Sequence, residues 1–297
     1  KDADNFLKLG IEILDRELAE QFLEDGAHFE LSPMYHEILL WDLLELINLA
    51  NLTSGNLLLT RLESWKLLAS KALRWLDSMC HRDGEISFFN DAALGIAPKA
   101  AQIFTFAEKL RIDWEKDNRR LITNHASGYS RVNLDDYSLI FDHANVGPDY
   151  LPGHAHADTL SFELSVANER VIVNSGTSVY GVSAERLRQR KTPAHNTVDV
   201  EGEDSSEVWS GFRVAKRAYS NLKLAQEDQG KVLLKASHDG YQRLANAVTH
   251  AREIELEPGR IVVKDSTKKG VRSTFHLHFS PELEVRQVST NSLLLQL

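Results

Sequence analysis

The sequence predicts a two-domain α+β protein in which an α-helical domain precedes an antiparallel β-sandwich. Up to about Leu110, apolar side chains recur every three or four residues, the spacing of one face of a helix. After about residue 120 they alternate with polar side chains, as in a strand with one buried face. Helices first and strands afterwards favour two successive domains, which we place at residues 1–115 and 116–297.

Four segments of the first part have helical patterns. The segment at residues 38–49 is apolar on nearly every side, as expected of a helix enclosed by others. Ser32 and Pro33 precede it and suit its N-cap and first turn, and Pro98 suits the first turn of the last helix. The other apolar stripes are Leu7, Ile11, Leu14, Leu18 and Phe22, then Leu62, Trp65, Ala69, Ala72 and Leu76, then Ala100, Ile103, Phe104, Ala107 and Leu110.

Strand patterns dominate the second part. The clearest begins at Leu160, where Leu160, Phe162, Leu164 and Val166 alternate with polar residues, which predicts one buried face. A short helical turn is expected around residues 184–189. Further strands are predicted at residues 170–174, 212–219, 231–237, 252–256, 260–265 and 274–279.

Composition excludes some classes of function. A net charge of -9 argues against a nucleic-acid-binding protein, which needs a basic surface. No apolar run reaches the roughly 20 residues of a membrane span. An anionic polymer is still an acceptable partner, because the basic cluster Arg186, Arg188, Arg190 and Lys191 can focus a positive field in one cleft. The single cysteine, Cys80, rules out an internal disulfide framework and leaves the compartment open.

The most suggestive polar cluster is GHAHAD at residues 153–158. We expect His154 and His156 to enter a strand, which would put both side chains on one face beside Asp158. The plainer alternative is a pair of exposed histidines. A second group, TPAHNT at residues 192–197, contains His195. Together with His156 and an oxygen ligand it suits zinc, and the alternative is a histidine that caps a loop.

A third group is the loop DGAHFELSPMYH at residues 25–36. It leads into the most apolar helix, so Tyr35 and His36 should lie near that helix's N-terminus. The positive end of the helix dipole is expected to lower the pKa of the Tyr35 phenol from about 10. The alternative is an ordinary cap with a packed tyrosine.

Four segments, DGAHFELSPMYH at residues 25–36, GPDYLPGHAHAD at 147–158, VNSGTSVY at 173–180 and PAHNT at 193–197, resemble successive signatures of the heparinase II/III-like polysaccharide lyases. The resemblance implies an incomplete (α/α) toroid followed by an antiparallel β-sandwich, with an anionic polysaccharide lying in the cleft between them. It also implies cleavage of a uronic-acid polymer by β-elimination, with Tyr35 and His154 as the catalytic residues. His156 and His195 match two ligands of a structural zinc.

Two departures from the family pattern stand out. Asn174 occupies the position of the third zinc ligand, an aspartate in the family, and a neutral amide is a poorer ligand than a carboxylate. The family's carboxylate-binding asparagine lies upstream of the tyrosine motif, and nothing before Asp25 matches it. Because the chain begins at Lys1 within a helical pattern, we expect a fragment or a processed form of a periplasmic or secreted protein.

Three readings of function follow. In the lyase reading, His154 binds the acid group and Tyr35 transfers protons, with His36, Tyr180 and Arg186 as further contacts to substrate. A glycoside hydrolase would use Glu30 and Asp158 as paired acids. A catalytically impaired carbohydrate-binding or exopolysaccharide-assembly protein would keep only the fold. The acidic charge balance favours a bacterial exopolysaccharide or alginate-like chain over heavily sulfated heparin.

Overall fold

In a computed structural model, the chain is helical first, and most regular elements after Lys109 are β-strands. The structure describes residues 2–53 and 56–296, so the outermost residues of the two predicted domains, Lys1 and Leu297, lie outside the described residues. The α-helices are α1 (Asp2–Gln21), α2 (Pro33–Leu52), α3 (Asn56–Leu59), α4 (Leu62–Met79), α5 (Ala100–Lys109) and α6 (Ala184–Arg190).

Eleven residues separate the end of α5 from the first strand, and strands continue to the end of the described chain. They are β1 (Leu121–Asn124), β2 (Tyr129–Leu134), β3 (Tyr137–Asp142), β4 (Phe162–Val166), β5 (Glu169–Ile172), β6 (Val198–Val200), β7 (Val208–Trp209), β8 (Arg213–Val214), β9 (Ser220–Asp228), β10 (Lys231–His238), β11 (His250–Glu257), β12 (Arg260–Ser266), β13 (Ser273–Phe275), β14 (Glu284–Ser289) and β15 (Ser292–Gln296). The predicted boundary at residues 115 and 116 falls in the irregular segment before β1.

Helix α2 is the centre of the helical part, as its uniform apolarity predicts. Ser32 is its N-cap, and the Ser32 side chain accepts a hydrogen bond from the Tyr35 amide at 3.2 Å, while Pro33 occupies the first turn. Leu40, Leu44 and other α2 side chains share one hydrophobic core with α4 and α5. Pro98 differs from the prediction, because Lys99 is the N-cap of α5 and Pro98 precedes it.

Two antiparallel sheets form the main core of the second part. One sheet has the order β1-β2-β3-β4-β5 and the other the order β12-β11-β10-β9. Leu139 and Phe141 of the first sheet and Leu234 and Ile254 of the second belong to the same buried cluster, so the sheets pack against each other. Antiparallel sheets after helices confirm the coarse fold class.

Two strand predictions need correction. Strand β4 is buried on both faces, because Glu163 and Ser165 point away from the inter-sheet core and contact His81 at the end of α4. The polar residues of that strand therefore face the helical part instead of solvent. The strand predicted at residues 212–219 is only the two-residue β8, paired with β7.

No helix in the described residues is long and apolar enough to cross a membrane.

Candidate functional site

Asp91 is the residue on which the polar groups between the helical part and the sheets converge. It lies in the loop between α4 and α5, and its side chain is fully buried. One carboxylate oxygen lies 2.8 Å from His154 Nδ1, and the other lies 2.8 Å from His156 Nε2. The Thr177 hydroxyl donates to Asp91 at 2.7 Å. The Arg186 guanidinium forms a two-pronged ion pair with both oxygens, one bond being 2.7 Å.

The Asp91 carboxylate is ionised in this setting. Burial raises the pKa of the Asp91 carboxyl, but the hydrogen bonds from His154 and His156 and the pairing with Arg186 outweigh burial and bring the pKa far below its usual range. A buried carboxylate without such partners would be neutral. Asp91 is therefore a fixed negative charge that accepts hydrogen bonds from two histidines and an arginine.

The two histidines of GHAHAD do not lie on a strand. Residues 151–160 form an irregular loop before β4, so the prediction of a shared strand face was wrong. They are instead brought together by the two oxygens of Asp91. The Asp91 amide also donates to the His154 carbonyl at 3.1 Å, and the His156 amide donates to the Asn90 side chain at 3.1 Å. The loop is thus hydrogen-bonded to the helical part through both backbone and side chains.

Tyr35 and His154 lie against each other at the junction of the helical part and the second part, in a partly exposed group with Glu30, Tyr180 and Phe212 that we call the cleft. Their ring centroids are 4.0 Å apart with the planes tilted by 33°. The Tyr35 hydroxyl lies 3.0 Å from the hydroxyl of Tyr180. The structure therefore brings together the two predicted catalytic residues and one predicted substrate contact, from α2 and from two loops of the second part.

The expected lowering of the Tyr35 pKa is wrong. Burial raises the pKa of the Tyr35 phenol above its ordinary value of 10.0, the hydrogen bond from Tyr180 lowers it in part, and the negative charges of Asp91 and Glu30 raise it further. Burial likewise raises the pKa of Tyr180. Both tyrosines are therefore phenols at neutral pH.

Glu30 faces the ring nitrogen of His154 that Asp91 does not contact. Glu30 Oε2 lies 3.9 Å from His154 Nε2, and both side chains retain some exposure, 12% and 21%. Burial raises the pKa of the Glu30 carboxyl, and His154 partly offsets the effect. Asp158, the other acid of the hydrolase hypothesis, is buried and lies beside His156 and His195.

A second group lies behind His154 and has the composition of a metal site. His156, Asp158 and His195 are buried, and one potential ligand atom from each lies within 4.8 Å of the others. His156 Nδ1 and His195 Nε2 are buried without a hydrogen-bond partner. Burial lowers the pKa of His195, so its ring is neutral and has a lone pair to donate. Two imidazole nitrogens and a carboxylate fit a divalent ion such as zinc.

Asn174 occupies a supporting position in this group. Its side-chain oxygen accepts from Ser161 at 2.9 Å and lies 3.2 Å from His195 Nδ1. A hydrogen bond from His195 Nδ1 to Asn174 leaves Nε2 free for an ion. The carboxylate that the sequence lacks at position 174 is available instead from Asp158.

Two predicted substrate contacts lie out of reach of a bound sugar. His36 is fully buried, hydrogen-bonded to the Ala72 carbonyl and the His28 amide, and burial lowers its pKa to about 4. Arg186 is also fully buried in its pairing with Asp91. Its guanidinium lies 5.2 Å from the Tyr180 ring centroid and 5.4 Å from that of Phe212, so it supports the wall of the cleft. His36 and Arg186 are structural in this arrangement.

The rest of the predicted basic cluster does not create a positive cleft. Arg190 is buried and donates to the Ala155 carbonyl, while Arg188 pairs with Glu185. Lys191 lies 4.0 Å from Asp204. The positive charges of these residues are thus largely paired with acidic side chains or backbone carbonyls of the fold itself.

Sequence reasoning missed Asp91, Thr177 and Phe212. Asp91 follows Asn90 in the stretch SFFNDAAL, where nothing in the local pattern distinguishes it. Thr177 lies within the VNSGTSVY segment, whose pattern does not indicate that its hydroxyl contacts Asp91. Phe212, stacked on Tyr180 with ring centroids 5.9 Å apart, lies in a segment predicted as a strand.

Family comparisons match both parts of the chain. Residues 1–110 match the model described as heparinase II/III N-terminus, and residues 116–297 match heparinase II/III-like, C-terminal. No match was found among curated proteins.

Solved structures share the fold. One of heparinase III gives a TM-score of 0.77 at 18% identity, covering 97% of this chain and 48% of that one. Another, a heparinase III gene product, gives 0.75 at 18% identity, covering 97% and 46%. A mutant heparan sulfate lyase from Pedobacter heparinus gives 0.68 at 18% identity, covering 89% and 42%. The chain spans less than half the length of these structures.

Proposed function

Because this chain belongs to the heparinase II/III-like family, we propose that the protein is a polysaccharide lyase that cleaves a uronic-acid-containing polymer by β-elimination. The family models confirm the resemblance predicted from the four sequence segments. The observation that carries the proposal is the meeting of Tyr35, His154 and Tyr180 in one cleft, with ring centroids of Tyr35 and His154 4.0 Å apart.

The first requirement of the reaction is to neutralise the uronate carboxylate. Removing the C5 proton places negative charge beside that carboxylate, so a hydrogen-bond donor must lie there. His154 Nε2 is the ring nitrogen left for this role, because Nδ1 contacts Asp91. A His154 ring that carries both protons donates one to Asp91 and one to the substrate. Fixed donors of this kind are worth about 3 to 4 kcal/mol in other enzymes.

The second requirement is proton transfer at C5 and at the leaving oxygen. Tyr35 as phenolate takes the C5 proton, the C4–O4 bond breaks with its electron pair going to oxygen, and Tyr35 as phenol returns a proton to that oxygen. A double bond between C4 and C5 results. Since the resting residue is a phenol, it first loses its proton to solvent, and the Tyr180 hydroxyl at 3.0 Å is positioned to hydrogen-bond the phenolate that results.

A structural zinc would be held by His156, Asp158 and His195, with Asn174 orienting His195. The unpartnered nitrogens of His156 and His195 support this assignment. The ion would hold the loop at residues 151–160 to the segment that precedes β6. No proton transfer requires it, and the catalytic roles remain with Tyr35 and His154.

We further propose that the helices are part of an (α/α) toroid and the sheets part of a β-sandwich, with an anionic polysaccharide lying between them. The position of the Tyr35 cleft between α2 and the loops of the second part supports this. We propose a periplasmic or secreted location, since a polymer substrate is met outside the cytoplasm. Cell fractionation tests that location.

The test of the function is to incubate the full-length protein with a panel of uronic-acid polymers. A lyase produces a conjugated unsaturated uronate, which absorbs in the ultraviolet, together with new reducing ends. Reducing ends without the absorbance would indicate a hydrolase and contradict the proposal. Binding without either product would indicate the impaired carbohydrate-binding or assembly protein.

A further inference from the structure

We propose that Asp91 is a positioning residue that holds His154 for catalysis and fixes His156 for metal binding through the same carboxylate. This inference rests on the proposed function and adds a residue to it that no sequence motif contains. Its basis is the geometry of one buried side chain, which contacts His154 through one oxygen and His156 through the other, each at 2.8 Å.

The direction of these hydrogen bonds fixes both rings. Asp91 is paired with the Arg186 guanidinium as a carboxylate and so can only accept, which means that His154 donates through Nδ1–H and His156 through Nε2–H. His154 is left with Nε2, which lies toward Glu30 and the Tyr35 side of the cleft. His156 is left with Nδ1, which is buried and has no partner. One carboxylate thus leaves one free ring nitrogen on each histidine. Nε2 of His154 faces the cleft, and Nδ1 of His156 faces the metal group.

Asp91 is itself held by two further residues. Arg186 forms the two-pronged ion pair, and the Thr177 hydroxyl donates to Asp91 at 2.7 Å. The Arg186 Nε in turn donates to the Gly211 carbonyl at 2.9 Å. The Arg186 guanidinium also packs against the Tyr180 ring. A displacement of Asp91 would therefore move His154, His156 and the tyrosine wall together, which is how a supporting residue acts through the groups it orients.

A purely structural ion pair is the competing explanation, and the chain offers a matched control. Asp265 accepts from His250 at 2.7 Å and from Arg252 at 2.8 Å, a similar but smaller set within the second sheet. Its side-chain partners do not include Tyr35, His154 or Tyr180. Arg252 also donates to the carbonyls of Leu160 and Asn196, so Asp265→Asn reports what loss of a buried carboxylate does to the surrounding fold while the contacts of Asp91 stay in place.

The experiment compares Asp91→Asn and Asp265→Asn in the full-length protein. Nitrogen-15 NMR of labelled histidine gives the tautomer of each assigned ring, and metal analysis after dialysis gives zinc content. We expect Asp91→Asn to remove the single-tautomer signature of His154 and His156, and to weaken zinc binding by about 10- to 100-fold. The same change should lower kcat by about 10- to 100-fold with a much smaller change in KM. Asp265→Asn should leave all four quantities at wild-type values.

Unchanged tautomers of both histidines in Asp91→Asn would overturn the proposal, whatever the polymer. The NMR and zinc readouts do not depend on turnover, so they decide the role of Asp91 even where the lyase assay is negative. Where Asp91→Asn does not fold, Asp91→Glu takes its place, because it keeps the charge for Arg186 but moves the carboxylate. Reduced kcat in folded Asp91→Glu supports positioning, and full wild-type turnover would show that the charge alone matters.

Discussion

The hydroxyl of Tyr35 lies 3.0 Å from the hydroxyl of Tyr180, although 145 residues separate them in the chain. Tyr35 comes from the first turn of α2 and Tyr180 from the loop before α6. The cleft is thus made jointly by the helical part and the second part. The chemistry proposed for Tyr35 depends on how that junction is held.

Tyr180→Phe should slow turnover with little effect on stability. The change removes the hydroxyl that lowers the pKa of Tyr35 and keeps the ring that stacks on Phe212. Loss of one such hydrogen bond corresponds to about a tenfold fall in kcat/KM. Steady-state kinetics check this, with Val182→Ala, an exposed change in the same loop, as the control. Wild-type kinetics for Tyr180→Phe would remove the proposed support for the phenolate.

Zinc content should depend on Asp158 more than on Asn174. Asp158→Ala and His195→Ala remove direct ligands and should abolish stoichiometric binding. Asn174→Ala removes only a partner of His195 and should weaken affinity by about 10- to 100-fold. Metal analysis after dialysis against a graded series of chelator concentrations measures the order. Strong binding in Asp158→Ala together with none in Asn174→Ala would instead make Asn174 the ligand.

Breaking the contact between His81 and Glu163 should destabilise the junction of helices and sheets. His81 Nε2 lies 2.6 Å from Glu163 Oε2, and both side chains are fully buried. His81→Ala leaves Glu163 Oε2 without this hydrogen-bond partner, so the free energy of unfolding should fall by about 1 to 3 kcal/mol. Urea unfolding measures the change, and the exposed His125→Ala should shift stability by less than about 0.5 kcal/mol. A small effect at His81 would mean that the junction relaxes around Glu163.

Asp265 should contribute to the acid limb of the stability curve. Burial raises the pKa of the Asp265 carboxyl, but His250 and Arg252 lower it by a larger amount. The resulting pKa is about 2, against an ordinary 3.8. A carboxyl whose pKa is lower in the folded than in the unfolded state stabilises the fold at pH values above its unfolded pKa. The contribution of Asp265 is therefore complete above pH about 4 and is lost as the pH falls through about 2. It amounts to about 2 kcal/mol. Unfolding of Asp265→Asn measured across pH should show that loss at neutral pH and a flatter curve below pH 4; an unchanged acid limb would contradict this origin.

Features that depend on residues close together in the chain, such as helix caps and the type of secondary structure, could be predicted from the sequence. The α2 N-cap at Ser32 and the change from helices to strands follow from local patterns, and the structure bears them out. The strand face proposed for His154 and His156 failed because those residues lie in an irregular loop, which periodicity does not describe. Their proximity comes from Asp91, which is 63 residues away from one and 65 from the other.

Long-range contacts also explain why the expected environments of Arg186 and Tyr35 were wrong. From the sequence, Arg186 is expected to be an exposed cation, but it is paired with Asp91, which lies 95 residues earlier in the chain. The pKa of Tyr35 depends on burial and on Tyr180, neither of which the helix-dipole argument includes. Local sequence therefore singled out several of the side chains that meet in the cleft, while tertiary contacts determine the burial and the ion pairs of those side chains.

The most direct test of the central claim is the rate of ultraviolet absorbance increase in full-length Tyr35→Phe acting on a polymer that the wild type cleaves. The account predicts a loss of at least about 100-fold, since the residue serves as base and acid, with normal folding. Tyr137→Phe, a change beside the core of the two sheets, should keep the wild-type rate. A wild-type rate in Tyr35→Phe would contradict the assignment of proton transfer to this residue.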